Sequence, residues 1–158
     1  MNRLIIIALL IIPLLADTEP PNVTGFSFEP TVVNTALTSQ DITFTIHLTD
    51  NESGISNAWA ATPSQVRFES ESGQLIDVVF RPASELISGT ILDGVYVNTG
   101  TLSPFNETGP WTLKYIFLVD VAGNQRWMYF DEIKSLGLPV TFMVVNQVNT
   151  AYLPVVIR

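Results

Sequence analysis

The chain contains no cysteine and a single histidine, His47, in 158 residues. The first absence excludes disulfides, thiolate nucleophiles and cysteine-rich zinc sites; the second excludes any metal motif built on two histidines. Basic residues are scarce as well, seven against 15 acidic. With a net charge of −8 there is no surface suited to neutralising phosphates, and nucleic acid is not an expected partner. No apolar run reaches the roughly 20 residues that a helix needs to cross a bilayer. Residues 4–16 form a run of 13 that follows Arg3 and precedes acidic, proline-rich chain. That layout is a secretory signal peptide over 1–16, with cleavage expected after Ala16. Leu14 leaves the small-x-small rule half met, so an uncleaved membrane anchor stays open. After cleavage no membrane insertion is expected, and the chain is expected to be secreted or held at the cell surface with 15 acidic and six basic residues. A secreted domain without disulfides points to a bacterial source and to stability from core packing and bound ions.

Residues 17–21 read as a polar linker, 22–146 as one domain and 147–158 as an apolar tail. Within the domain, Ile42, Phe44, Ile46 and Leu48 alternate with Thr43, Thr45, His47 and Thr49, the period of a half-buried strand. Val66 and Phe68 continue the inward set, and Ser72-Gly73 reads as a hairpin turn. A second alternating row, Trp111, Leu113, Tyr115 and Phe117, is expected to face inward, although the later half of that strand is apolar on both sides. Asp131 is placed to cap a short helix ending at Gly137, and 139–145 reads as the last core strand. About seven short strands with one short helix before the last predict an all-β fold, an antiparallel β-sandwich. The ending NTAYLPVVIR can be an added strand, a docking tail or an attachment signal.

The order of GFSFEPTVV, DNESGIS, VRFESESGQ, DGVYV, GPWTLKYIFLVDVAGN and SLGLPVTFMV resembles immunoglobulin-like domains of secreted and cell-surface bacterial proteins. The resemblance spans residues 22–146. It implies an immunoglobulin-like sandwich that serves in binding, spacing or adhesion, usually as one part of a larger protein.

If strands 42–48 and 111–119 hold the second and penultimate places of such a sandwich, the loops DNESG and DVAGN leave it at the same end. Asp50, Asn51, Glu52, Asp120 and Asn124 then offer hard oxygen atoms at one pole, the ligand type that calcium takes. The same residues also stabilise turns by accepting backbone N–H bonds. Both readings stand: turns alone, or a calcium site of Asp50, Glu52, Asp120 and Asn124. Glu69 and Glu71 read as a solvated strand face. His47 has Ser39 and Ser53 as conceivable partners, but no nucleophile-elbow pattern is present. No catalytic residue is assigned. Trp59, Trp127 and Tyr129 fall in or near connecting segments, where they would stack on sugars, pack on a partner or anchor loops.

The expected function is therefore a non-catalytic extracellular module for adhesion, spacing or assembly at the cell surface, with a cell-surface protein or polysaccharide as partner. A carbohydrate-binding module using the exposed aromatics is the alternative, and a small secreted hydrolase the third reading.

Overall fold

The computed structural model describes residues 16–57 and 62–148. Strands β1 (Asn22–Glu29), β2 (Val32–Asn34), β3 (Gln40–Thr49), β4 (Gln65–Glu69) and β5 (Leu75–Val79) come first. They are followed by β6 (Leu86–Gly89), β7 (Asp93–Leu102), β8 (Gly109–Val119), β9 (Gln125–Tyr129), helix α1 (Phe130–Ser135) and β10 (Thr141–Val145). The fold is all-β, as expected, but with ten strands among the described residues rather than about seven. One sheet has the order β1-β3-β7-β6. The other runs β2-β10-β8-β4-β5, with β9 also paired to β8, and curls into a half-barrel. All pairings are antiparallel except β2 with β10, which is parallel. Among the described residues no helix is long and apolar enough to cross a membrane.

The alternation of β3 is realised in full: Ile42, Phe44, Ile46 and Leu48 are all completely buried. They meet a core contributed by both sheets, with Phe68 at its centre. The Phe68 ring lies 5.5 Å from Phe28 and Phe44, 5.1 Å from Phe142 and 6.5 Å from Phe26. Trp111 stacks on Phe142 at 6.0 Å, and its Nε1 donates to the Glu107 carbonyl at 2.9 Å.

The inward row expected on β8 breaks after Leu113. Arg67 faces Tyr115 and Phe68 faces Leu113, so Lys114 has no partner on β4 and forms a β-bulge. One extra residue exchanges the two faces of everything that follows. Ile116 and Leu118 therefore enter the core, while Tyr115 and Phe117 turn outward. Phe117 is nevertheless buried, because Trp127 lies on it at 4.5 Å from the outer side.

Three smaller expectations are also corrected. Trp127 and Tyr129 lie on strand β9, not in a connection, and β9 pairs with β8 through Phe117–Trp127 and Tyr115–Tyr129. Aromatic residues suit a pleated surface, which is the physical reason. Asp131 does not cap α1: Tyr129 holds the cap position without a side-chain bond, and Asp131 sits in the first turn with Glu132, where carboxylates oppose the positive helix end. Glu71 lies in the turn after β4 and not on the strand. Gly137, at φ +74°, ends the helix region as expected.

Tyr96 on β7 is fully buried, and its hydroxyl has no hydrogen-bond partner among the described residues. Burial pushes this phenol up to about 12. The folded state thus holds the proton more tightly than the unfolded chain, whose tyrosine titrates near 10. Stability is complete below about pH 10 and is lost as pH rises towards about 12, by on the order of 2–3 kcal/mol. Tyr96→Phe removes an unsatisfied buried group, so it is expected to raise stability by about 1 kcal/mol at neutral pH. It is also expected to flatten the alkaline decline, which urea melts across that pH range measure.

Candidate functional site

The chain leaves β3 and β8 at the same end of the molecule, and the two following loops are zipped together by their backbones. Val121 N–H donates to the Gly54 carbonyl at 2.9 Å, Ser56 N–H to Val119 at 3.0 Å, and Ile55 bridges to Asp120. Ala122 N–H donates to the Ser53 hydroxyl at 3.3 Å. Gly54 is required here. At φ +83°, a Cβ would stand 2.6 Å from the Ile91 side chain, whose backbone carbonyl accepts the Ile55 N–H.

Each loop is organised by its aspartate. Asp50 Oδ1 accepts the N–H groups of Gly54 at 2.7 Å and Glu52 at 3.2 Å. Asp120 is buried; its Oδ1 accepts Asn124 N–H at 2.7 Å and its Oδ2 accepts Asn124 Nδ2 at 2.7 Å. A third carboxylate comes from the segment expected to be a linker. Asp17 accepts Ser53 N–H on Oδ2 and Glu19 N–H on Oδ1, both at 3.1 Å, and its carbonyl accepts Asn124 Nδ2 at 3.2 Å. One carboxylate oxygen each from Asp17, Asp50 and Asp120 lies within 4.8 Å of the others.

At that spacing the carboxylates repel one another. The Ser53 hydroxyl, first, holds the Asp17 carboxyl below its ordinary range; partial burial opposes this, while the N–H groups of Glu19 and Ser53 add to it. The other feature is Asp50 Oδ2, which is buried with no hydrogen-bond partner among the described residues. A buried carboxylate oxygen without a donor is costly unless a cation faces it.

Of the residues expected at this pole, Asp50, Asp120 and Asn124 converge. Asn124 acts as a clamp: its Nδ2 donates both to the Asp120 carboxylate and to the Asp17 backbone carbonyl. Glu52 stands outside the group because its side chain is exposed and only its N–H takes part. Asn51 donates through Nδ2 to Glu19 at 3.1 Å, at the rim of the pole. Asp17 was missed, since nothing in residues 17–21 signals that the segment folds back on the loops.

The aromatic candidates lie elsewhere. Trp59 falls outside the described residues. Trp127 and Tyr129 are 43% and 58% exposed on the outer face of the second sheet. The Trp127 ring meets Tyr115 edge-on at 4.9 Å. Arg67 lies over Tyr115 at 5.2 Å and is ion-paired with Asp77 at 2.6 Å. His47 is paired with Asp93 at 2.6 Å, and Glu69 forms an ion pair with Lys114.

A family model described as a domain of unknown function, DUF7743, matches residues 15–150. No curated protein and no solved structure matches the chain.

Proposed function

From a chain that belongs to the DUF7743 family of domains of unknown function, we infer a non-catalytic, immunoglobulin-like extracellular module, used for adhesion, spacing or assembly at the cell surface, with calcium tying one pole. The strand orders support the immunoglobulin-like part. In an immunoglobulin fold, strands A, B, E and D make one sheet and G, F and C the other. The order β1-β3-β7-β6 corresponds to the first and β10-β8-β4 to the second, with β2 split from the first strand to pair beside β10. The β9 strand and α1 are additions between the last two positions. The signal-peptide layout read over residues 1–16 supports an extracellular setting, and the surplus of acidic residues suits the binding of a cation.

The observation that carries the calcium part is the convergence of Asp17, Asp50 and Asp120, one carboxylate oxygen of each within 4.8 Å of the others; Asp50 Oδ2, buried without a hydrogen-bond partner among the described residues, adds to it. Hard carboxylate oxygens suit calcium, which accepts six to eight oxygen ligands in flexible geometry and takes waters for the rest. Bound there, the ion would neutralise the carboxylates and join residues that precede β1, follow β3 and follow β8. The end of the domain then becomes a fixed junction, which is what a spacing or adhesion module needs.

Extracellular calcium modules bind at about 0.1–1 mM. About 1 mM calcium is therefore expected to stabilise the domain by roughly 0.4–1.4 kcal/mol, read as a rise in melting temperature. Magnesium should do less, because it demands tighter octahedral geometry and keeps its waters. Asp50→Asn is the decisive variant. The asparagine oxygen keeps the bonds from Gly54 and Glu52, while its Nδ2 takes the place of Oδ2 and is expected to donate to the neighbouring Asp17 or Asp120 carboxylate, with one negative charge removed from the pole. This variant is expected to melt higher than wild type in chelator and to lose the calcium response. Asp120→Asn is expected to lose the response too. Coincident wild-type melts with calcium and with chelator would reduce the pole to turns alone.

A glycan-binding role has one observation in its favour, the partial exposure of Trp127 and Tyr129 on one sheet face. Retention of the protein on polysaccharide, abolished by Trp127→Ala, would support it.

A further inference from the structure

The outer face of the second sheet carries an aromatic strip ordered by strand register. Across neighbouring strands, Asp77 on β5 pairs with Arg67 on β4, Arg67 with Tyr115 on β8, and Tyr115 with Tyr129 on β9. At about 4.8 Å per strand this row spans roughly 14 Å, the length of a short oligosaccharide. The bulge at Lys114 is what turns Tyr115 and Phe117 to this face. Trp127, two positions before Tyr129, shares the face and pairs with Phe117. Its indole packs on Phe117 with ring centres 4.5 Å apart and meets Tyr115 at 4.9 Å, yet 43% of the residue stays exposed. Tyr129 beside it is 58% exposed. The indole is thus held in place before any ligand arrives, which lowers the entropic cost of stacking on it.

The charges on this face cancel in pairs. Arg67 donates to Asp77 through Nε and Nη2, each at 2.6 Å, and Lys114 is paired with Glu69. An acidic polymer therefore meets no unpaired cation on this face among the described residues, and the net charge of −8 repels it. A stable protein partner needs about 800 Å² on each side, whereas at these exposures the two rings offer roughly 200 Å² together. Beside the stacking surface stand groups that hydrogen-bond hydroxyls. The Tyr115 phenol accepts Gln65 Nε2 at 3.0 Å and keeps its own O–H to donate, and the Arg67–Asp77 pair offers both a donor and an acceptor.

We propose that this face binds an uncharged polysaccharide whose pyranose rings carry equatorial hydroxyls, a site that rests on the glycan reading above and gives it a sugar class. Such a ring presents C–H bonds to the electron-rich face of an indole or phenol, while its hydroxyls project sideways. With one sugar over Trp127 or Tyr129, the following units lie along the row towards Tyr115, Arg67 and Asp77, whose polar atoms meet those hydroxyls.

Affinity electrophoresis of the full chain tests the site, with hydroxyethylcellulose as the uncharged probe and carboxymethylcellulose as the acidic one on the same backbone. Runs in chelator keep calcium binding out of the result. The wild type is expected to be retarded by the uncharged polymer, and Trp127→Ala and Tyr129→Ala to bind it about tenfold more weakly. Tyr129 is the more exposed ring, so its variant decides the matter if melting curves show that Trp127→Ala does not fold. Retardation by carboxymethylcellulose alone would overturn the sugar class and leave glycan binding standing; retardation by neither polymer would overturn both. Undiminished binding by the folded variants would overturn the site. A dimer in solution that Tyr129→Ala dissociates would overturn it too, by placing a second copy on the face.

Discussion

Phe68→Ala is expected to lower the stability of the domain by about 3–5 kcal/mol, the range for removing a fully buried aromatic ring. The upper part of that range is expected because Phe68 touches rings from both sheets: Phe26 on β1, Phe44 on β3 and Phe142 on β10. Its loss leaves a cavity that neither sheet can close alone, since each ring is held by its own strand register. For a domain whose whole stability is about 5–15 kcal/mol, this is a large fraction. Equilibrium urea unfolding of wild type and variant gives the difference, and a loss below about 1 kcal/mol would mean that the two sheets do not share this core.

Ile116→Asp is expected to prevent folding, whereas Lys114→Gln is expected to change stability by less than about 0.5 kcal/mol. The contrast isolates the bulge. An uninterrupted alternation through β8 would put Ile116 on the same side as Lys114, where an aspartate would be tolerated. With Lys114 bulged, Ile116 is completely buried against the core, and a carboxylate there has neither water nor a partner. Circular dichroism of the two purified variants decides between the registers. A folded Ile116→Asp protein would remove the bulge from the account.

These two substitutions mark where the sequence is legible. Strand β3 is readable because one of its faces is wholly apolar and the other wholly polar, so only one orientation buries the first. Strand β8 loses that contrast after Leu113: Ile116, Phe117, Leu118 and Val119 are apolar on both sides, and a bulge has no side-chain signature of its own. Strand β2 is three residues long and owes its pairing to β10, more than a hundred positions away, so no local pattern announces it. Strand β9 begins with Gln125 and Arg126, which hides an otherwise aromatic strand behind a polar start.

The acidic pole shows the same division. Asp50 and Asp120 are readable as neighbours because both follow strands expected to end at the same side of two sheets. Glu52 is placed wrongly by its proximity in sequence. In the turn that Asp50 organises, residue 52 directs its N–H inward and leaves its side chain exposed. Asp17 cannot be read at all without the fold. Its place depends on Ser53 and Asn124, which capture an otherwise irregular segment through backbone and amide bonds.

Diffraction from crystals grown in millimolar calcium, recorded for anomalous scattering, tests the calcium-tied pole most directly. A calcium-tied pole gives a peak between Asp17, Asp50 and Asp120, with Asp50 Oδ2 among the oxygen atoms about 2.3–2.6 Å from it. A pole without a peak, its three carboxylates bridged only by water and by their own turns, would contradict it.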